Sequence, residues 1–177
     1  MENDIGKVLI TEVEIKQKVC ELAQILTADY KHKNLTIIGV LNGSLVFLSD
    51  LIRQLSFPVK IDTIRANAYV GASTSPKAEV DIVNNTCLAV EGEHVLILDD
   101  ILDTGKTLSG IVRMVKEYNP LSLKICVLLN KVARRGTEIE PDYCCFEIDD
   151  RFVVGYGLDF DNEYRYLPYI AELKDGG

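Results

Sequence analysis

Three carboxylates and a hydroxyl-bearing turn fall together in Asp99-Asp-Ile-Leu-Asp-Thr-Gly-Lys-Thr107. The run follows His94-Val-Leu-Ile-Leu98, a nearly continuous apolar stretch of the kind that forms a strand buried on both faces of a parallel sheet. It precedes a helical pattern carrying Leu108, Ile111, Val112 and Val115. Ligands in open parallel sheets bind beyond the carboxyl ends of the strands. A helix N-terminus with a glycine and hydroxyls makes a phosphate cradle there, because its free N–H groups and positive dipole end face the anion. Three carboxylates would repel that phosphate unless a cation or the hydroxyls of a sugar intervened. The same strand-end rule selects two further places, the turn Leu41-Asn-Gly-Ser44 after Val40 and Lys131 after Leu129.

Two other readings of the run are weaker. The phosphate-binding loop of nucleotide triphosphatases has Gly, four residues, then Gly-Lys-Ser/Thr. Gly105-Lys-Thr107 fits its end, but the first glycine falls on Asp100, whose carboxylate would point into the triphosphate. Alternatively the carboxylates only cap a helix and stay solvated, a role that suits Asp and Thr.

These residues need elements to position them. Thr11 with Glu14 reads as a capping box, and Ile15, Val19, Leu22 and Leu26 recur at helical spacing, so a helix is expected over about 12–29. Leu35–Val40 reads as a strand, Leu48, Leu51, Ile52 and Leu55 as one face of a second helix, and Val59–Ile64 as a half-buried strand of period two. Tyr69–Glu79 is small, polar and aperiodic, a loop of the length that often serves as a lid. The third helix should stop at Asn119-Pro120, with strands at Leu121–Leu129, Tyr143–Glu147 and Phe152–Val154. Strands alternating with helices predict an α/β fold with a parallel sheet.

The chain has 177 residues, 47% of them hydrophobic and 26% charged, which suits one domain with its own core. Its net charge of −8 argues against a nucleic-acid partner, which needs a basic face. No apolar run is long enough for a membrane span, and Met1–Lys7 is polar where a signal segment would turn apolar, so neither membrane nor export is expected and the location reads as cytoplasmic. Cys20, Cys87, Cys126, Cys144 and Cys145 lack the spacing of a zinc site or a disulfide framework and read as reduced, buried thiols.

Taken whole, Val95–Thr107 resembles the phosphoribosyl-diphosphate motif of the type I phosphoribosyltransferases. The match narrows to the hypoxanthine-guanine phosphoribosyltransferases through Leu41-Asn-Gly-Ser44, Lys131, Arg151-Phe-Val-Val-Gly-Tyr-Gly-Leu-Asp159 and Asn162-Glu-Tyr-Arg165, over roughly residues 8–173. The resemblance implies a central, mostly parallel sheet flanked by helices. It adds a small hood formed by the chain ends, about 1–10 and 143–177, within a single domain 1–177. It implies transfer of ribose 5-phosphate from phosphoribosyl diphosphate to hypoxanthine or guanine with Mg²⁺, in a homodimer or homotetramer.

Its site residues carry over one by one. Asp99 and Asp100 would accept hydrogen bonds from the ribose hydroxyls, and Asp103 would handle the purine proton as general acid or base. Asp103, Thr104, Gly105, Lys106 and Thr107 would wrap the 5′-phosphate, although Lys106 could equally be a plain surface lysine. Leu41, Asn42, Gly43 and Arg165 would hold pyrophosphate, Arg165 through its planar donor fork. Lys131 would donate to the six-oxo group, unless it is merely solvated. Phe152 would stack on the purine, unless it is ordinary core, and Val153 and Asp159 would meet the base edge. Asp159 would also serve the magnesium shell, with Asp99 and Asp100 as further carboxylates for the ion.

Two positions depart from the family pattern. Asn42 stands where a Lys or Arg is common, so the diphosphate would rely more on backbone amides, and the Leu41–Asn42 peptide is a candidate for the family's cis bond. Ala68-Tyr69 replaces Ser-Tyr in the lid. A protein that senses phosphoribosyl diphosphate without turning it over is the competing reading, but it would need neither Asp103, Lys131 nor Phe152-Val153.

Overall fold

The structure is a computed structural model that describes residues 4–67, 81–83, 90–133 and 135–174. The expected lid at 69–79, with Ala68 and Tyr69, lies outside the described residues, as does Cys87.

Its elements run β1 (Ile5–Ile10), α1 (Glu12–Tyr30), β2 (Leu35–Leu41), α2 (Leu45–Gln54), β3 (Lys60–Asn67), β4 (Asp81–Val83), β5 (His94–Leu102), α3 (Lys106–Lys116), β6 (Ser122–Lys131), β7 (Tyr143–Ile148), β8 (Val153–Val154) and β9 (Ile170–Leu173). The main sheet has the order β4-β3-β2-β5-β6-β7. Its five strands from β3 to β7 are parallel, and β4 joins the edge antiparallel to β3. This is the expected α/β architecture.

Alternation along the buried strands divides the core in two, because successive side chains point to opposite faces. Leu96 and Leu98 pack with Ile37 against α1 and α2, where Val19, Leu26, Phe47 and Leu51 meet them. Val95 and Ile97 pack with Ile38 and Val40 against Leu108, Ile111 and Val115 of α3. Helix α1 starts as its sequence dictates. The Thr11 side chain accepts from the Glu14 N–H at 3.3 Å while Glu14 Oε2 accepts from the Thr11 N–H at 2.8 Å.

A second, three-stranded antiparallel sheet, β1-β9-β8, is built from the two ends of the described chain. Its membership corrects the expected hood. Tyr143–Ile148 pairs in parallel with β6, from Cys126↔Tyr143 to Lys131↔Ile148, so this segment belongs to the main sheet and not to the hood. Strands β1, β4 and β9 carried no local pattern strong enough to be read, and β8 begins at Val153, one residue after the expected Phe152. The thiols also need correction. Cys126 and Cys145 are buried, whereas Cys20 and Cys144 are exposed, because their positions on α1 and β7 face away from the core.

Candidate active site

The site opens where β2 and β5 part company. They pair from Leu35↔His94 to Gly39↔Leu98. Beyond that point β2 turns away at Leu41, while β5 continues beside β6 as far as Leu102↔Asn130. Asp99 and Asp100 therefore lie within β5, where a loop was expected, and they face the gap left by the departing strand. A cavity of about 250 Å³ fills that gap, lined by Leu41, Gly43, Asp99, Asp100, Asp103, Thr104, Gly105 and Thr107.

Burial governs the acidic pair. It pushes the Asp99 carboxyl well above the ordinary carboxylate range, and the neighbouring Asp100 charge adds to the shift. Burial raises Asp100 as well, offset by hydrogen bonds from its surroundings and by the positive charge of Arg165. Each carboxylate takes one local bond, Asp99 Oδ1 from the Asp100 N–H at 3.0 Å and Asp100 Oδ1 from the Ile101 N–H at 2.9 Å. Further donors or a cation brought into the cavity would stabilise the charged forms.

The turn after β5 delivers the cradle. Gly105 is the N-cap of α3 at φ 81° and brings no side chain to cap the helix; the first helical N–H, that of Lys106, reaches Thr104 Oγ1 at 3.5 Å, and Gly105 and Thr107 line the cavity. The glycine is required twice over. L side chains disfavour that φ, and a Cβ there would lie 2.1 Å from Thr137 Oγ1 and 3.0 Å from Ile139 Cγ2. The Lys106 side chain is exposed. Lys131 ends β6 and is only 5% exposed, so it is not a solvated surface lysine. Its Nζ stands 4.0 Å from Asp103 Oδ2, bringing the end of β6 and the turn after β5 face to face.

The segment after β8 completes the arrangement. Arg165 Nη1 donates to the Gly157 carbonyl at 2.6 Å, and Nη2 reaches Asp159 Oδ1 at 2.7 Å. Asp159 Oδ2 accepts from the Asn162 N–H at 2.9 Å. Gly157, at φ 102°, presses against the turn after β2, since a Cβ on it would lie 2.2 Å from the Gly43 carbonyl oxygen. Phe152 is 52% exposed, and so is not core; its ring meets Phe160 edge-on, with centroids 5.6 Å apart. Val153, beside it, is buried and pairs with Glu172.

The phosphoribosyl transferase domain family matches residues 10–161. The chain is 44% identical over 174 residues to the hypoxanthine-guanine phosphoribosyltransferase of Bacillus subtilis (strain 168), covering 98% of this chain and 96% of that one. It is 41% identical over 175 residues to the protein of the same name from Streptococcus pneumoniae serotype 4, covering 99% and 97%. A crystal structure of a hypoxanthine phosphoribosyltransferase from Staphylococcus aureus superposes with a TM-score of 0.92 at 42% identity, covering 98% of this chain and 94% of that chain. The chain belongs to the hypoxanthine-guanine phosphoribosyltransferase family. It also spans 27% of the length of a bifunctional TilS/HprT protein of Listeria monocytogenes, at 42% identity over 174 residues.

Within this member of the family, the turn after β2 carries the departure from the family pattern. The Leu41–Asn42 peptide is cis. Asn42 itself does not line the cavity; its Oδ1 accepts from Arg65 Nη2 of β3 at 3.4 Å. Three contributors escaped the sequence reading. Thr137 and Ile139 underlie Gly105, and Gly157 holds the turn at Gly43. Only Gly157, one of two glycines flanking Tyr156, left any local sign. A larger cavity of about 710 Å³ lies beside Val132, Ile148 and Arg151, and contains none of the expected site residues except by adjacency. Among the described residues, no cluster of three or more His, Cys, Asp or Glu side chains is arranged to hold a metal by protein ligands alone.

Proposed function

We propose that this chain is a purine-salvage phosphoribosyltransferase. It transfers ribose 5-phosphate from phosphoribosyl diphosphate to hypoxanthine or guanine, forming IMP or GMP and releasing pyrophosphate. One observation carries the reading: Asp103 and the buried Lys131 face each other at 4.0 Å beside the glycine-capped N-terminus of α3. A carboxylate able to take a purine proton and a phosphate cradle thus line one cavity, and a donor for a six-oxo group stands 4.0 Å from that carboxylate.

In this reading Thr104, Gly105, Lys106 and Thr107 hold the 5′-phosphate, chiefly by backbone N–H groups. Asp99 and Asp100 accept the two ribose hydroxyls, bonds that relieve the burial of their charges. The backbone at Leu41, Asn42 and Gly43, with Arg165, binds the diphosphate. Phe152 stacks on the purine, with Val153 and Asp159 at its edge. As the bond from the anomeric carbon to the diphosphate oxygen breaks, the nitrogen at position nine attacks that carbon. Asp103 takes the proton from the nitrogen at position seven, so the base leaves the step neutral. Lys131 fixes the base by its six-oxo group and holds it in line.

The donor set suits Mg²⁺, which prefers oxygen ligands and shares its shell with water and substrate phosphates. Asp159 would hold the ion, with Asp99 and Asp100 as further carboxylates, and among the described residues these do not form a closed protein cage. When bound, the ion neutralises charge on the diphosphate. The assembly is proposed to be a homodimer or homotetramer. The proposed location is the cytoplasm, whose reducing conditions suit the exposed thiols of Cys20 and Cys144. No helix among the described residues is long and apolar enough to cross a membrane.

The test is pyrophosphate release from phosphoribosyl diphosphate with each purine in turn, with and without Mg²⁺. Release with hypoxanthine or guanine is expected. Binding of phosphoribosyl diphosphate without release for any purine would overturn the reading.

A further inference from the structure

Arg135 lies in the segment joining β6 to β7, and its side chain is only 9% exposed. Its two terminal nitrogens reach opposite ends of that segment. Nη2 donates to Asn130 Oδ1, on β6 immediately before Lys131, and Nη1 donates to the Ile139 carbonyl while standing 3.5 Å from Glu140 Oε1. Its Nε is buried and has no acceptor among the described residues, so the tie runs through the two Nη groups. Between these two ends the segment touches the phosphate turn. The Gly136 N–H donates to the Thr104 carbonyl at 3.0 Å, and Thr137 Oγ1 approaches the same oxygen at 3.5 Å. Thr137 and Ile139 also form the floor beneath Gly105.

A guanidinium presents several donors in one rigid plane, so a buried arginine can set the distance between two acceptors that a flexible lysine would leave free. Here the acceptors are a strand side chain next to the base anchor and a carbonyl next to the floor of the phosphate turn. Both Nη groups are engaged by protein oxygens, which directs Arg135 to the scaffold and not to a ligand.

We propose that Arg135 is a positioning residue for the 5′-phosphate site. It draws the segment 136–139 onto Thr104 and Gly105, and so holds the N-terminus of α3 at a set distance from Lys131. The proposal rests on the reading of that turn as the 5′-phosphate site.

The test compares IMP with inosine, which differ only in the 5′-phosphate, by competitive inhibition and by titration calorimetry on the full chain. In the parent protein IMP should bind far more tightly than inosine. Arg135→Met should weaken IMP by about tenfold, as expected for a sub-ångström loosening of the turn, while inosine stays within twofold. A general loosening of the fold would weaken both ligands equally, and that result overturns the proposal. So does a parent preference for IMP that survives Arg135→Met intact. Equal affinity of the parent for the two ligands would instead remove the phosphate site itself, and the proposal with it. Should Arg135→Met fail to fold, Arg135→Lys keeps the charge but loses the fork, and Thr137→Val removes only the hydroxyl over Thr104. Each should give a smaller loss confined to IMP, and affinity equal to the parent in both would overturn the assignment.

Discussion

Gly43 is where the turn after β2 meets the acidic strand, and replacing it by alanine sets one methyl group against one carboxylate. The added Cβ would lie 1.7 Å from Asp100 Oδ2 and 2.5 Å from its Cγ. Non-bonded heavy atoms settle at about 3.5 Å, so one partner must move by more than about 1 Å. The backbone at Gly43 cannot retreat freely, because its carbonyl already lies against Gly157. Asp100 moves instead, and gives up the bond its Oδ1 accepts from the Ile101 N–H. Losing that bond costs about 1 kcal/mol, which lowers the melting temperature of a chain this size by about 2–4 °C. Gly43 has no positive φ, so alanine adds no backbone strain of its own. The effect on catalysis should be larger. A displacement of about 1 Å in a positioning group can cost about 100-fold, which is about 2.7 kcal/mol of transition-state stabilisation. The assay is steady-state pyrophosphate release at saturating hypoxanthine with phosphoribosyl diphosphate varied. Gly43→Ala should lower kcat/KM for the donor by that factor. If the collision with Asp100 is the cause, the double variant with Asp100→Ala should be no worse than Asp100→Ala alone. A Gly43→Ala protein within threefold of the parent, or fully additive losses in the double variant, would refute the reasoning.

Asp103→Asn keeps the shape of the turn but removes the proton acceptor, so kcat should fall by about 10²–10⁴ with donor affinity nearly intact; a drop below threefold would exclude Asp103 as the acid/base. Lys131 has donors and no acceptor, so adenine, with a six-amino group, should be rejected by about 10⁴ relative to hypoxanthine. Lys131→Ala should raise KM for six-oxopurines and narrow that gap, and turnover of adenine by the parent within tenfold of hypoxanthine would contradict the assignment. Burial pushes the Cys145 thiol up to about 12 and raises Cys126 well above its ordinary value. In a Cys87→Ser protein at pH 8, a thiol reagent should therefore modify exposed Cys20 first and spare Cys126 and Cys145 until the chain is unfolded. Equal rates at Cys20 and Cys145 would show that the core around β7 opens.

Much of the scaffold is local in origin and so could be read along the chain. The capping box at Thr11 and Glu14 and the spacing of Ile15, Val19, Leu22 and Leu26 place α1 to within a residue of its observed ends. Apolar runs of strand length mark β2, β5 and β6, because strands buried on both faces need no alternation. The extent of β5 was not legible. An acidic pair reads as the end of an apolar strand, yet pairing with β6 carries the strand through Asp99 and Asp100 to Leu102. The hood boundary failed for a related reason. Tyr143–Ile148 looks the same whether its partner is β6 or a strand from the chain ends, since register and neighbour are chosen by tertiary packing.

The order of motifs, from Leu41-Asn-Gly-Ser44 through the acidic run to Lys131 and Arg165, was enough by itself to indicate the family by resemblance, because each motif is contiguous along the chain. What brings Asp103 to Lys131, Gly43 to Asp100, and Arg135 from Asn130 to the floor under Gly105 is decided only by the folded chain. Those contacts join residues that share no local pattern. Their distances follow from where β2 leaves the sheet, how far β5 and β6 continue together, and how tightly the segments between strands pack.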